Sequence, residues 1–149
     1  MKRVVVTGLG LVTPLGCGVN HSWDNLLSGI SGVKKITKFD PINHKCKVAC
    51  EVPLGSAIDG KFNPEEWIEK KEIKKIDDFI QFSMAASEQA FLDSKIQIST
   101  ELSLRSGAII GSGIGGLPGI ERAALDYYVN KKKISPFFIT GRLINMAAG

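Results

Sequence analysis

Gly111-Ser112-Gly113-Ile114-Gly115-Gly116, preceded by Ala108-Ile109-Ile110 and followed by Leu117-Pro118-Gly119-Ile120-Glu121-Arg122-Ala123-Ala124-Leu125, is the stretch whose reading decides the fold. The apolar run before it holds two β-branched residues and predicts the end of a buried strand. The run after it predicts a helix from about Pro118 to Tyr128, with Pro118 near the first turn, where a missing N–H costs nothing. Four glycines in six residues predict a backbone that turns sharply or is closely approached. Strand, glycine turn and helix together are the grammar of sites at the carboxyl edge of an α/β sheet.

Working outward, Arg3–Thr7 is a β-branched run that closes on Gly8-Leu9-Gly10, a predicted first strand and turn. A short helix is expected over 21–28, capped by Asn20 or Ser22. Trp23, Leu26 and Leu27 share its face and His21 lies on its surface. Gly29–Pro53 reads as a long connection with short extended pieces such as Lys47–Val52, and 60–78 reads as polar and highly charged. From Asp77 to Ser94 apolar residues recur at helical spacing on more than one face, which predicts a helix buried on most sides. Ala85, Ala86 and Ala90 on it would admit a close neighbour. Ser106–Ile110 is the second predicted strand, Lys131–Lys133 a basic loop, and Phe137–Gly149 an apolar stretch. The order predicts α/β architecture with a largely parallel sheet. Two strands are too few for such a sheet, so the chain is expected to be part of a larger fold that exposes apolar surface.

The 149 residues bound one domain. The N-terminal apolar run is too short for a signal-peptide core, and no stretch reads as a membrane span. Three cysteines, Cys17, Cys46 and Cys50, are an odd number at low density, which predicts reduced thiols and a cytoplasmic or organellar-matrix setting. The net charge of +4 permits an acidic partner without arguing for nucleic acid. Lys70–Lys75 and Lys131–Lys133 lack the aromatic interleaving that stacks bases.

Two tempting motifs fail on chemistry. Gly111–Gly116 matches G-x-G-x-x-G, yet no Asp or Glu stands in Pro136–Arg142, where a ribose partner belongs. In the first turn Thr13 occupies the third glycine position. A nucleotide-binding α/β domain is therefore the remote alternative. His44, Cys46 and Cys50 lack a fourth ligand and a recognised spacing, so no metal is expected. Cys17, between Gly16 and Gly18, has no plausible base beside it and reads as a small filler.

Several spaced motifs carry a collinear resemblance over the whole chain. They are Val4–Gly10 with Thr13–Gly16, Trp23 through Gly32, Phe39-Asp40, Lys71–Gln81, Gly111–Gly116, Lys133–Phe138 and Asn145–Gly149. Together they resemble the β-ketoacyl-acyl-carrier-protein synthases, closest to the elongating synthase II type. The resemblance implies a thiolase-like layered α/β fold, of which residues 1–149 would be most of the first half, ending before the nucleophile. It implies a homodimer in the complete enzyme and decarboxylative condensation of malonyl carrier protein with acyl carrier protein, with no cofactor. The family's cysteine and two histidines match no residue of this chain, so no catalytic residue is expected in it and the chain alone is expected to be inactive. The resemblance also implies carrier-protein docking by Lys71, Lys74 and Lys75 and by Lys132 and Lys133. Lys74 stands where the family more often has Arg. Ile114 and Phe138 match residues lining the acyl tunnel. The alternative is a non-catalytic ketosynthase-like fragment that binds carrier protein or a partner chain.

Overall fold

The computed structural model describes residues 3–149. A long central helix, α3 (Asp78–Ser94), organises them. Before it come β1 (Val12–Thr13), β2 (Gly16–Cys17), α1 (Val19–Leu27), β3 (Lys34–Lys35), β4 (Val48–Ala49) and the short α2 (Lys70–Ile73). After it come α4 (Thr100–Ser103) and α5 (Leu117–Tyr128). Single 3-10 turns occupy Ala57–Asp59, Pro64–Glu66 and Ile144–Ala147.

The predicted helices form close to their expected bounds, because the apolar period is a local signal. Helix α3 starts after Asp77 and stops at Lys95, which takes a left-handed conformation. Helix α5 carries Pro118 in its first turn, as expected. Helix α1 begins two residues earlier than expected, at Val19 after Gly18, without a side-chain cap. Ser22 is buried instead, and its hydroxyl donates to the Gly16 carbonyl at 3.2 Å.

The predicted parallel sheet does not form among the described residues. Neither Arg3–Thr7 nor Ser106–Ile110 joins a ladder, and Val4 is 92% exposed. The ladders present are antiparallel and short: Val12 opposite Cys17 in one, Lys34 opposite Ala49 in the other. One parallel bridge joins Leu54 to Phe62. A strand is a relation between two segments, and composition supplies no partner edge; the stretch just after the first run, Leu9–Leu11, lies along a helix instead.

That helix is α3. The Leu9 N–H donates to the Asp93 carboxylate at 2.9 Å, and the Leu11 N–H to Gln89 Oε1 at 3.1 Å. Successive residues meet earlier helix turns, so the segment runs antiparallel to α3. A Cβ at Gly10 would overlap the Ala86 carbonyl oxygen, and one at Gly8 the Ala90 carbonyl oxygen. This is the close neighbour expected at the small residues Ala86 and Ala90.

The core is small. Phe62 is 1% exposed, with Ile68, Ile80, Ala85 and Ala147 also buried. Phe62 lies edge-on to Phe82 of α3, ring centroids 5.2 Å apart. Such a pair adds about 0.5–1.5 kcal/mol beyond area burial. The polar reading of 60–78 therefore misses the most buried aromatic ring, which a single apolar residue among charges does not announce. Helix α3 is less covered than its composition predicts: Ile80, Gln81 and Ala85 are buried, whereas Met84, Phe91 and Leu92 are exposed. The exposed apolar surface expected of a partial fold is present, Trp23, Leu26 and Leu27 included.

Candidate functional site

The site is built where α2 turns into α3 and meets the start of α5. Helix α2 is one turn of charged residues, and its cations stay near solvent because their acids are neighbours in sequence. Lys71 pairs with Glu69 at 2.6 Å and Lys75 with Glu72 at 2.7 Å. The Lys75 Nζ also sits 4.7 Å from the centroid of the Phe137 ring, a cation–π contact that holds it back from solvent. Lys74 is exposed at the C-cap of α2.

Asp77, at the N-cap of α3, makes no cap bond to its own helix. Its Oδ2 accepts the Gly119 N–H of α5 at 3.1 Å, and its Oδ1 lies 3.3 Å from Arg142 Nε. Arg142 Nη1 donates to the Lys75 carbonyl at 3.0 Å, and the Asp77 N–H to the Gly141 carbonyl at 3.1 Å. Burial pushes the Asp77 carboxyl above its ordinary value. The Arg142 charge and the Gly119 N–H oppose that rise without cancelling it. Gly119 is required at this contact, since a Cβ there would overlap Arg142 Nε and the Asp77 carboxylate.

Helix α5 then carries the second basic group. Gly119, Arg122, Ala123 and Asp126 recur at helical spacing on one face. Asp126 accepts from Asn130 at 2.8 Å and from Lys132 Nζ at 3.0 Å, and these two bonds hold its carboxyl below the usual range. Lys133 follows.

Two cavities lie along this face. One, of about 380 Å³, has Lys38, Lys74, Asp77, Asp78, Arg122 and Arg142 on its wall. The other, of about 160 Å³, has Arg122, Asp126, Lys133, Phe138 and Arg142. Arg122 and Arg142 line both. The structure thus places Lys74 of the first expected group and Lys133 of the second on cavities that share two arginines. Lys71, Lys75 and Lys132 stand beside them, each paired to an acid. Ile114 is 71% exposed in the glycine loop, while Phe138 is half-buried, and no cavity described among these residues has both on its wall. Asp77, Arg122 and Arg142 were not among the sequence-derived site residues. The signal available for Arg122 was its spacing from Gly119 and Asp126.

The glycine loop is engaged by protein. The Gly116 N–H donates to the Arg142 carbonyl at 2.9 Å, and the Gly119 N–H is taken by Asp77. These are the donors a phosphate at the start of α5 would need.

The thiols and imidazoles do not form a nucleophile–base pair among the described residues. Cys17 is half-buried, receives a bond from Gln89 Nε2 at 3.4 Å, and has its thiol pushed up by burial. That suits a filler rather than a thiolate. His21 corrects the expectation of a surface position. Its half-buried ring lies against the backbones of Gly16 and Gly60, and its Nε2 is 3.0 Å from Asn25 Nδ2. No group of three metal-ligating side chains forms among the described residues, and no helix there is long and apolar enough to cross a membrane.

Comparison with known proteins gives a consistent picture. Residues 1–149 match the family model described as beta-ketoacyl synthase, N-terminal domain. The chain is 48% identical over 153 residues to a 3-oxoacyl-[acyl-carrier-protein] synthase 2 of Rhizobium meliloti (strain 1021), covering all of this chain and 36% of that protein. The fold is similar to that of a β-ketoacyl synthase from Burkholderia phymatum STM815, with TM-score 0.73, 23% identity, and coverage of 99% of this chain and 35% of that one. It is also similar to the AntDE:AntF assembly, a type II PKS acyl-carrier protein in complex with its ketosynthase bound to the hexaketide. There the TM-score is 0.63 at 23% identity, covering 99% of this chain and 38% of that one. The chain spans about a third of the length of the curated relatives it matches.

Proposed function

Because the chain belongs to the β-ketoacyl synthase family, as the N-terminal domain of the synthase 2 type with a partial thiolase-like α/β fold, we propose that it serves 3-oxoacyl-[acyl-carrier-protein] synthesis by docking the carrier. In this reading residues 1–149 are the N-terminal part of a ketosynthase domain that works as a homodimer. The reaction takes an acyl chain from its carrier onto a cysteine thiolate. Malonyl carrier protein then loses carbon dioxide, its carbanion attacks the acyl thioester carbonyl, and the cysteine thiolate leaves. The cysteine and the two histidines that this chemistry uses are not among these residues.

The observation that carries the reading is the match over the whole chain to synthases that act with acyl carrier protein by name. The placement of Lys74 and Lys133 on adjoining cavities supports it. Lys71, Lys74, Lys75, Lys132 and Lys133 steer and hold an acidic carrier in this proposal, and such contacts weaken with salt. Ile114 and Phe138 are proposed to reach the acyl chain. The alternative reading is a chain that binds carrier without turning it over, and the two readings part on whether product forms.

The test is to supply the intact protein with acyl- and malonyl-loaded carrier and follow carbon dioxide and 3-oxoacyl carrier. Formation of both supports the synthase. Saturable carrier binding without product leaves the binding reading in its place.

A further inference from the structure

Where the first hairpin meets α1, one imidazole is held by hydrogen bonds that suit a single protonation state. His21 is half-buried, with its ring laid on the backbones of Gly16 and Gly60. A Cβ at either glycine would overlap the ring. Both glycines take positive φ, 139° and 67°, so the residues that make these turns also leave room for the imidazole. One turn further along α1, Asn25 Nδ2 lies 2.8 Å from the Leu15 carbonyl oxygen and 3.0 Å from His21 Nε2. A carbonyl oxygen only accepts, so the Leu15 contact fixes which end of the Asn25 amide points here. The amide NH2 then has one hydrogen for Leu15 and one for His21. Nε2 accepts, which is the neutral imidazole with its proton on Nδ1.

A proton added at Nε2 would face the Asn25 N–H, donor against donor. Turning the amide over offers Oδ1 to the imidazolium but sets that oxygen against the Leu15 carbonyl. Either way one bond between α1 and the hairpin turn is lost. The titratable groups on the elements around the ring do not answer the new charge. Helix α1 brings Asp24, and β2 brings Cys17, with Glu66 near it. The turn at Gly60 brings Asp59 and Lys61, paired to each other at 3.3 Å. Among the described residues no carboxylate lies within 4 Å of a His21 ring nitrogen. Ser22 Oγ still donates to the Gly16 carbonyl at 3.2 Å, so the hairpin would loosen rather than separate.

We propose that His21 and Asn25 form a pH-sensitive latch. The neutral imidazole, through Asn25, holds the turn between β1 and β2 onto α1, and protonation of the ring releases it. Imidazole is the side chain whose charge ordinarily changes between pH 5 and 8, so the latch works near neutrality. It is independent of the docking and condensation readings.

The experiment is amide hydrogen exchange on the intact protein at pH 8 and pH 5.5, read on the peptide over 13–18. The Cys17 N–H, bonded to the Gly60 carbonyl at 2.9 Å, and the Gly18 N–H, bonded to the Leu11 carbonyl at 2.8 Å, are the reporters. The parent is compared with Asn25→Ala at each pH, which cancels the pH dependence of exchange itself. Alanine suits a helix, so this variant should fold. At pH 8 the parent peptide should exchange about three- to tenfold more slowly than that of the variant, the worth of one hydrogen bond. At pH 5.5 that gap should close. His21→Leu cannot titrate, and its rate relative to Asn25→Ala should be the same at both pH values. Peptides from α3 should show no such change. An absent gap at pH 8, a gap that persists at pH 5.5, or an equal change in α3 would each overturn the inference.

Discussion

Asp77 and Arg142 form a half-buried ion pair that joins three pieces of backbone. The Asp77 side chain is 17% exposed and that of Arg142 18%. The Arg142 Nε faces Asp77 Oδ1 at 3.3 Å without the alignment of a hydrogen bond. The other Asp77 oxygen holds α5 through Gly119, and the Arg142 Nη1 holds the Lys75 carbonyl. The pair acts as a clamp on the surface that presents Lys74 and Arg122.

Removing one partner of the clamp should cost more than an exposed ion pair is worth. Arg142→Met leaves the Asp77 carboxylate without its counter-charge and the Lys75 carbonyl without its donor. The expected loss is about 1–3 kcal/mol of unfolding free energy. Urea denaturation of the intact protein measures it, and an unchanged midpoint would show that the clamp contributes nothing.

The pH dependence has a definite sign. Folding raises the Asp77 pKa, with burial as the main cause, so the folded state binds this proton more tightly than the unfolded state does. Its stabilising contribution is therefore full below the unfolded value and lost as pH rises through the folded one. Asp77→Asn cannot titrate. The parent should gain stability over this variant as pH falls from neutral to about 4. Paired melts across that range would sink the idea if the gap moved in the variant's favour.

Glycine-to-alanine changes on α5 and in the loop before it should diverge. Alanine is favoured over glycine inside a helix by about 1 kcal/mol. At Gly119 the added methyl meets Arg142 and Asp77, and such overpacking costs about 1–3 kcal/mol. Gly119→Ala should therefore destabilise on balance, or at best break even. At Gly111 nothing lies within 4 Å of the added carbon, and Gly111→Ala should stay within about 0.5 kcal/mol of the parent. Thermal melts that ranked the two in the opposite order would contradict the packing described for Gly119.

Lys74 and Lys75 are adjacent in sequence but differ in what they already hold. Lys75 is engaged by Glu72 and Phe137, whereas Lys74 has no carboxylate within 4 Å among the described residues. On the proposed docking, Lys74→Ala should lower carrier affinity more than Lys75→Ala, by a few-fold at low salt. Lys75→Ala should show more of its effect in the melting temperature. Equal effects on binding would mean that the Glu72 pair does not restrain Lys75 in solution.

The helices were legible because their signals are short-range. Asp77 before an apolar period announces α3, and Pro118 just inside its start announces α5. The glycine loop was legible as a turn but not in its use, since the acceptor of the Gly116 N–H is the carbonyl of Arg142, far along the chain. Phe62 and His21 were misjudged for a related reason. Each is buried by contacts with segments distant in sequence: Phe82 for the first, Gly60 for the second. The runs Arg3–Thr7 and Ser106–Ile110 have strand composition, but composition does not supply a partner edge.

From the residues alone came the family, the α/β class, the placement of α3 and α5, and the two lysine groups, all of which rest on local pattern and motif order. Which cations are already paired, and which face α5 lends to Arg122, came only from the tertiary structure. An ion pair such as Asp77–Arg142 depends on where two distant segments meet, and local sequence spacing carries no record of that.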